Sequence, residues 1–399
     1  MGGATALAGL GGYAITIVAA RGLGHEYSLF ALFWSALYLA VGALAGVQQE
    51  ITRATRTRER LEIAPTTANV VVFAAIASLV AAALVVATSW LWAPRVFGAD
   101  PVALVVPLAV GAGLFVLVTA AAGTMYGTHS WRMLAIFTVL DVAFRLVLVL
   151  LGLLAGVGVV GLAWAAVVPF LLTVLVVVVP TRRALFSRSL LQVGYRDATL
   201  NVLRTVAAAA STAVLVSGFP LLIGLTTADE TPTLLSAVVF ALILTRAPIV
   251  VATLSLQSYL LVQFRDHPGR TSRLLVVLVA AVGAAGAVLA LVAWWIGAEV
   301  IVLLAGEVFR LPAAYVGLLV ASSVTTAWIM LTGTAVLSRG AHTAYSAGWL
   351  LAAITAILLM LIPGDIFTRS LVALAAAPLA GLALHLVALV RSHKARLEF

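Results

Sequence analysis

Runs of roughly 20 apolar residues recur along the whole chain, and each is long enough as a helix to cross a hydrocarbon layer about 30 Å thick. Twelve such runs stand out, at 2–20, 29–47, 69–92, 102–124, 133–154, 159–179, 205–227, 234–262, 274–296, 312–336, 343–362 and 370–390. Short polar connections rich in arginine separate them, and the pattern predicts an all-α polytopic membrane protein with about twelve transmembrane helices. Met1 is followed directly by Gly2-Gly3-Ala4, with no basic region or cleavage motif. The first run is therefore expected to be a span and not a secretory signal. The longest polar stretch near the middle of the chain lies between Thr181 and Arg204. It divides the runs six and six, which predicts an N-terminal lobe at 1–181, a cytoplasmic linker at 182–204 and a C-terminal lobe at 205–399.

Composition sharpens this picture. The 399 residues are 64% hydrophobic and 9% charged, with a mean hydropathy of +1.19. Those values exclude a water-soluble enzyme. There is no cysteine, and the six histidines are scattered, so neither a metal site nor a cofactor is expected. The net charge of +9 does not point to nucleic acid, because the basic residues sit between apolar runs. Cytoplasmic loops of membrane proteins accumulate Arg and Lys. With the N-terminus placed inside, 17 of the 23 basic residues fall in the inner loops and tail and four in the outer loops. The remaining two, Arg145 and Arg246, fall inside helices. That alternation predicts a multi-pass protein of the cell inner (plasma) membrane with both termini cytoplasmic. The short outer loops leave no room for the external domain in which membrane-embedded transferases carry their acid or histidine residues.

An ionisable side chain inside the bilayer costs several kcal/mol and marks a functional candidate. Arg246, in Leu244-Thr245-Arg246-Ala247-Pro248, is the deepest cation, roughly 18 Å from the outer end of its run at 1.5 Å per residue. Pro248 is expected to kink the helix beside it. Two readings fit: a guanidinium fork that holds an anionic ligand such as a pyrophosphate, or an arginine that locks the bundle through a neighbouring carbonyl or carboxylate. Asp141 and Arg145, four apart on one helix face, are expected to neutralise one another, with an ion-coupling carboxylate as the alternative. Glu50 and Arg53 stand three apart at the inner mouth of the second helix, next to Arg56, Arg58 and Arg60. This basic mouth fits either attraction of a phosphate head group or positive-inside topology alone. Gln48-Gln49 and Gln257 are read as Gln-containing helix ends followed by basic loops. Gly42/Gly46 and Gly152/Gly156 have the spacing that lets helices approach closely. His385 is expected to lie at the inner interface, and no catalytic constellation is found.

The stretch Tyr13 to Arg53 resembles the opening of polysaccharide and lipid-linked oligosaccharide flippases of the multidrug/oligosaccharidyl-lipid/polysaccharide (MOP) exporter superfamily. The resemblance is carried by Ala20-Arg21-Gly22-Leu23-Gly24, Tyr27-Ser28-Leu29-Phe30 and the helix end Leu44 to Arg53. Thr245-Arg246-Ala247-Pro248 and Leu303-Leu304-Ala305-Gly306-Glu307-Val308-Phe309 are similar to its second half. The resemblance implies two six-helix lobes around a central cavity lined by helices one, two, seven and eight, open alternately to either side. It places Arg246 on that cavity with Gln257 on the same helix, Arg21 and Arg53 at its opposite mouths, and the fifth helix, with Asp141 and Arg145, nearer the periphery. The implied function is a flippase that moves a lipid-linked glycan precursor, on a polyprenyl-phosphate carrier, from the inner to the outer leaflet for cell-envelope polysaccharide assembly. It would partner with membrane lipid and with envelope glycosyltransferases or a polymerase. Drug or sugar efflux by another class of secondary transporter is the competing reading. The loop Gln48 to Arg60 lacks the Gly-x-x-x-Asp-Arg-x-Gly-Arg-Arg pattern of major-facilitator carriers. A membrane glycosyl- or acyltransferase ranks last.

Overall fold

The structure, a computed structural model, describes residues 2–57, 68–98, 100–186, 189–191, 193–227, 230–267 and 269–397. Arg58, Arg60 and Arg188 lie outside the described residues. Ten stretches among the described residues are long and apolar enough to cross a membrane, or eleven with one bent pair. One of the ten, Gly11–Ala54, is 44 residues long and holds two helices, α1 (Gly2–Leu23) and α2 (Tyr27–Ala54), separated by a 3₁₀ turn at Gly24–Glu26. Dividing it there recovers the twelve spans expected from the apolar runs.

The chain forms two compact units, Met1–Ala228 and Asp229–Phe399. The first contains α1, α2, α3 (Val70–Phe97), α4 (Val102–Gly127), α5 (Trp131–Leu154), α6 (Gly158–Thr173), α7 (Val179–Phe186), α8 (Tyr195–Val216) and α9 (Phe219–Thr226). A π-helical segment, Val174–Val178, joins α6 to α7 without breaking the span. The second contains α10 (Pro232–Asp266), α11 (Thr271–Ala305), α12 (Ala313–Ser338), α13 (His342–Leu361) and α14 (Ile366–Leu397).

Start signals in the sequence account for several helix boundaries. The Asn69 carboxamide oxygen accepts from the N–H groups of Val71 and Val72 at 2.8 and 3.3 Å and opens α3. Thr231 does the same for Leu234 at 3.3 Å, with Pro232 as the first helical residue of α10. Gly306, at φ +105°, ends α11 in a backbone region that side chains disfavour.

The arginine-rich stretch expected to be a linker is largely structured. Its middle forms β2 (Ser189–Leu191), antiparallel to β1 (Thr55–Thr57) in the register Thr55↔Leu191, and α8 begins at Tyr195. Helix seven thus starts ten residues before the apolar run at 205. The run's last part is a separate short helix, α9, after a break at Ser217-Gly218. Both pack on α2 within the first unit. The Ser35 hydroxyl donates to the Ser217 carbonyl at 2.6 Å and accepts the Leu221 N–H at 3.1 Å. By contacts the division of the chain falls at Ala228/Asp229, while the polar stretch pointed to 182–204.

The α2–α8 crossing explains one of the two glycine pairs. A Cβ added at Gly42 would meet Ala213, and one at Gly46 would meet the backbone of Thr205 and Val206. The Thr205 hydroxyl donates to the Gly46 carbonyl at 2.8 Å. Gly152 is also close-packed, with Leu162 3.0 Å from an added Cβ. Gly156 is not. It sits beyond the end of α5 at φ +65° with open space around it, so it serves the turn and not the packing.

The outward surfaces of both units are apolar. On α3, Leu79, Val80, Leu84 and Trp90 are exposed, and on α11, Val276, Leu291 and Trp295. Continuous exposed apolar area of this extent is stable only against lipid. By contrast α12 is nearly enclosed, with Ser322, Ser323 and Thr326 buried. The Ser322 and Ser323 hydroxyls both bond to the Leu319 carbonyl, at 2.7 and 3.1 Å.

Candidate functional site

Arg246 lies in the first half of the 35-residue helix α10. Pro248 leaves the Leu244 carbonyl without its helical donor, and the helix bends by 42° between Pro232–Arg246 and Pro248–Gln257, as the proline predicts. The guanidinium turns into the second unit, where it is 7% exposed and donates to the Thr326 hydroxyl of α12 at 3.3 Å. It is engaged by that hydroxyl within the second unit. A bound anion would have to compete with that hydroxyl. Gln257 is half-buried and lies well inside α10, which continues to Asp266. It does not end the helix as expected.

Asp141 and Arg145 form the expected pair. The guanidinium donates twice to the carboxylate, at 2.8 and 3.0 Å. Arg145 is 2% exposed and reaches further, with 3.4 Å to the Tyr38 hydroxyl of α2 and 4.4 Å to the face of the Phe170 ring of α6. Its Nε has no partner. Trp34 stacks on Tyr38 at 4.7 Å and closes that side. The helix α5 that carries the pair is itself largely exposed, and the Arg145 guanidinium points inward from it into the first unit. Tyr38 and Phe170 were invisible to sequence reading because they come from other helices, 107 and 25 residues away.

At the end of α2, the Arg53 Nε and Nη2 donate to Glu50 at 2.7 and 2.6 Å, and Asn201 of α8 donates to the same carboxylate at 3.0 Å. Glu50 is buried at 4% while the Arg53 side chain is 60% exposed. The carboxylate is thus a structural acceptor between α2 and α8, and Arg53 keeps one open side. Arg21 lies exposed in the last turn of α1. Arg21 and Arg246 sit in different units, as do Arg53 and Arg246.

His385 departs from its expected interfacial place. It is 0% exposed, wedged among α12, α13 and α14. The Nδ1 lies 3.3 Å from the Thr332 hydroxyl and the Nε2 3.2 Å from the Tyr345 carbonyl, so the Nε2 carries the proton that the carbonyl accepts. Its ring stacks on Tyr345 at 6.0 Å, over Gly348. Glycines 333 and 348, where an added Cβ would meet the ring, make room for this crowding and are the signal that could have placed the histidine inside.

No family model matches the chain. Two Mycobacterium tuberculosis proteins align with it almost end to end. The uncharacterized protein Rv3630 is 33% identical over 98% of this chain and 91% of its own length, and the uncharacterized protein Rv1510 is 32% identical over the same shares. The chain belongs to their family. Solved structures show the fold of the chain. The inward-facing conformation of a multidrug resistance MATE family transporter of the MOP superfamily superposes with a TM-score of 0.69, over 98% of this chain and 94% of that one, at 15% identity. A point mutant of the Vibrio cholerae MATE transporter VcmN gives 0.59 over 98% and 95%, at 13% identity. A MOP superfamily transporter from Pyrococcus furiosus gives 0.53 over 96% and 94%, at 16% identity. The chain therefore has the fold of these transporters, a multi-pass helical membrane fold.

Proposed function

We propose that this protein is an alternating-access membrane transporter whose substrate is an anionic amphiphile, a glycan precursor linked to a polyprenyl phosphate, moved from the cytoplasmic to the outer leaflet of the inner membrane. The observation that carries the anionic reading is Arg246, a permanent cation buried in the kinked α10. Its guanidinium fork matches phosphate oxygens, and one of its neighbours in this state is a neutral hydroxyl that a phosphate can replace. The carboxylates that the sequence singled out, Asp141 within α5 and Glu50 near the end of α2, are taken up by Arg145 and by Arg53 with Asn201, which makes them poor holders of a cationic drug. For the Pyrococcus furiosus transporter, a reversed polarity of the binding pocket is described as suggesting a different function. The MATE fold therefore does not fix the sign of its substrate. Arg21 and Arg53, each exposed in the last turn of its helix, would draw head groups at the two mouths.

Alternating access lets the phosphate exchange with Thr326 as α10 and α12 shift, so that binding and release use one cation. Partnership with envelope glycosyltransferases or a polymerase follows from such a substrate. Drug efflux is the competing reading, and it rests on the multidrug resistance transporter whose fold this chain shares. Purified protein in liposomes separates the two. Translocation of a fluorescent polyprenyl-phosphate glycan is expected to be lost in Arg246→Ala and partly kept in Arg246→Lys. Full activity of Arg246→Ala would remove Arg246 as the phosphate holder. Export of organic cations without glycan-lipid movement would establish the efflux reading instead.

A further inference from the structure

At the turn between α10 and α11 the second unit carries an open cavity of about 570 Å³. Its lining combines two kinds of residue. Arg270 and Arg273 are exposed, with His267 and Gln263 beside them, and no lining residue bears a carboxylate. Phe264, Leu274 and Val277 are the apolar members, and Val277, one turn beyond Arg273 on α11, is 55% exposed. Asp266, which is next to His267 in sequence, is held by Arg265 at 2.9 Å. The Thr271 hydroxyl donates to the Phe264 carbonyl at 3.1 Å, which ties the turn and fixes the spacing of the two arginines. A cavity of this size lined by both cationic and apolar residues fits an anionic head group on an acyl-chain body. By the alternation of basic loops along the sequence, this turn is expected to face the anionic inner leaflet.

We propose that this cavity binds an anionic membrane phospholipid, with the phosphate between Arg270 and Arg273 and the first acyl carbons along Leu274 and Val277. This site is separate from Arg246 and does not depend on what the protein transports. Its occupancy would fasten the α10–α11 turn to the membrane surface.

The test is native mass spectrometry of the full chain in detergent, titrated with phosphatidylglycerol, phosphatidylcholine or glycerol 3-phosphate. Phosphatidylglycerol is expected to be retained, and phosphatidylcholine is not. The variant Arg270→Gln/Arg273→Gln is expected to weaken phosphatidylglycerol on the order of thirtyfold, and Arg270→Lys/Arg273→Lys to keep most of the binding. The variant Arg196→Gln/Arg204→Gln removes the same charge from exposed positions on α8 and is expected to change little. Equal weakening by that control would overturn the site in favour of general surface charge. Competition by glycerol 3-phosphate at matched concentration would show that a free phosphate suffices and would overturn the lipid. A cross-check is Val277→Asp, which leaves both arginines in place and is expected to weaken the lipid alone. Unchanged lipid binding in Val277→Asp would contradict the apolar half of the site.

Discussion

Neutralising Asp141 tests what the buried pair in the first unit does. Arg145 is 2% exposed, and two of its hydrogen bonds, at 2.8 and 3.0 Å, go to this one carboxylate. In Asp141→Ala the guanidinium keeps only the Tyr38 hydroxyl at 3.4 Å and the Phe170 face at 4.4 Å. Its Nε already lacks a partner. Removing one member of a buried pair costs on the order of 3–5 kcal/mol, since the other charge stays buried. The Asp141 side chain is 21% exposed, so the lower end applies. About 3 kcal/mol in a unit of this size lowers the midpoint of thermal unfolding on the order of 10 °C. The assay is thermal unfolding in detergent followed by tryptophan fluorescence, to which Trp34, stacked on Tyr38, contributes directly. The double variant Asp141→Leu/Arg145→Met removes both charges at similar volume and is expected to recover most of the loss. Unchanged stability in Asp141→Ala together with lost transport would refute the structural lock and make Asp141 a coupling carboxylate.

Four further variants have expected outcomes. Gly46→Ala is expected to push α2 from the α8 backbone and cost about 1–3 kcal/mol, whereas Gly156→Asn, at a left-handed turn position with open space, is expected to stay near wild type by the same unfolding assay. His385→Leu is expected to destabilise the second unit, because the ring's hydrogen bonds to Thr332 of α12 and Tyr345 of α13 are lost in a closed interior. Asp365 accepts the Thr368 N–H at 2.9 Å at the start of α14, and that bond holds its carboxyl below the usual carboxylate range. A depressed native value stabilises the fold above the unfolded value of about 3.9 and is lost as pH falls through the native one. Acid unfolding below about pH 4 is therefore expected to be less steep in Asp365→Asn, and an identical acid limb would contradict the cap.

Spans and membrane character were legible in the sequence because hydropathy is a local property, and the apolar runs correspond to helices throughout. Helix ends were less so. The polar start of α8 reads as linker because Arg196, Asp197 and Arg204 outweigh its apolar face, and only its packing on α2 makes it helix. The Asp141–Arg145 pair was legible because four residues along a helix bring side chains together. What surrounds it was not, since Tyr38 and Phe170 arrive by tertiary packing. The same holds for Thr326 beside Arg246. A run of hydroxyls in an otherwise apolar segment, Ser322-Ser323-Val324-Thr325-Thr326, was the available sign that α12 is enclosed. His385 was misplaced because nearness to a helix end was read as nearness to water, while the glycines opposite make a closed seat.

The central claim, that the substrate carries negative charge, is tested most directly by giving wild-type protein in sealed liposomes a choice. Leaflet-to-leaflet movement is followed for a polyprenyl-phosphate glycan and for the same lipid with its phosphate methylated to a neutral triester, beside uptake of an organic cation. The account predicts protein-dependent movement of the charged lipid, little of the neutral one and none of the cation. Equal movement of both lipids, or cation transport alone, would contradict it.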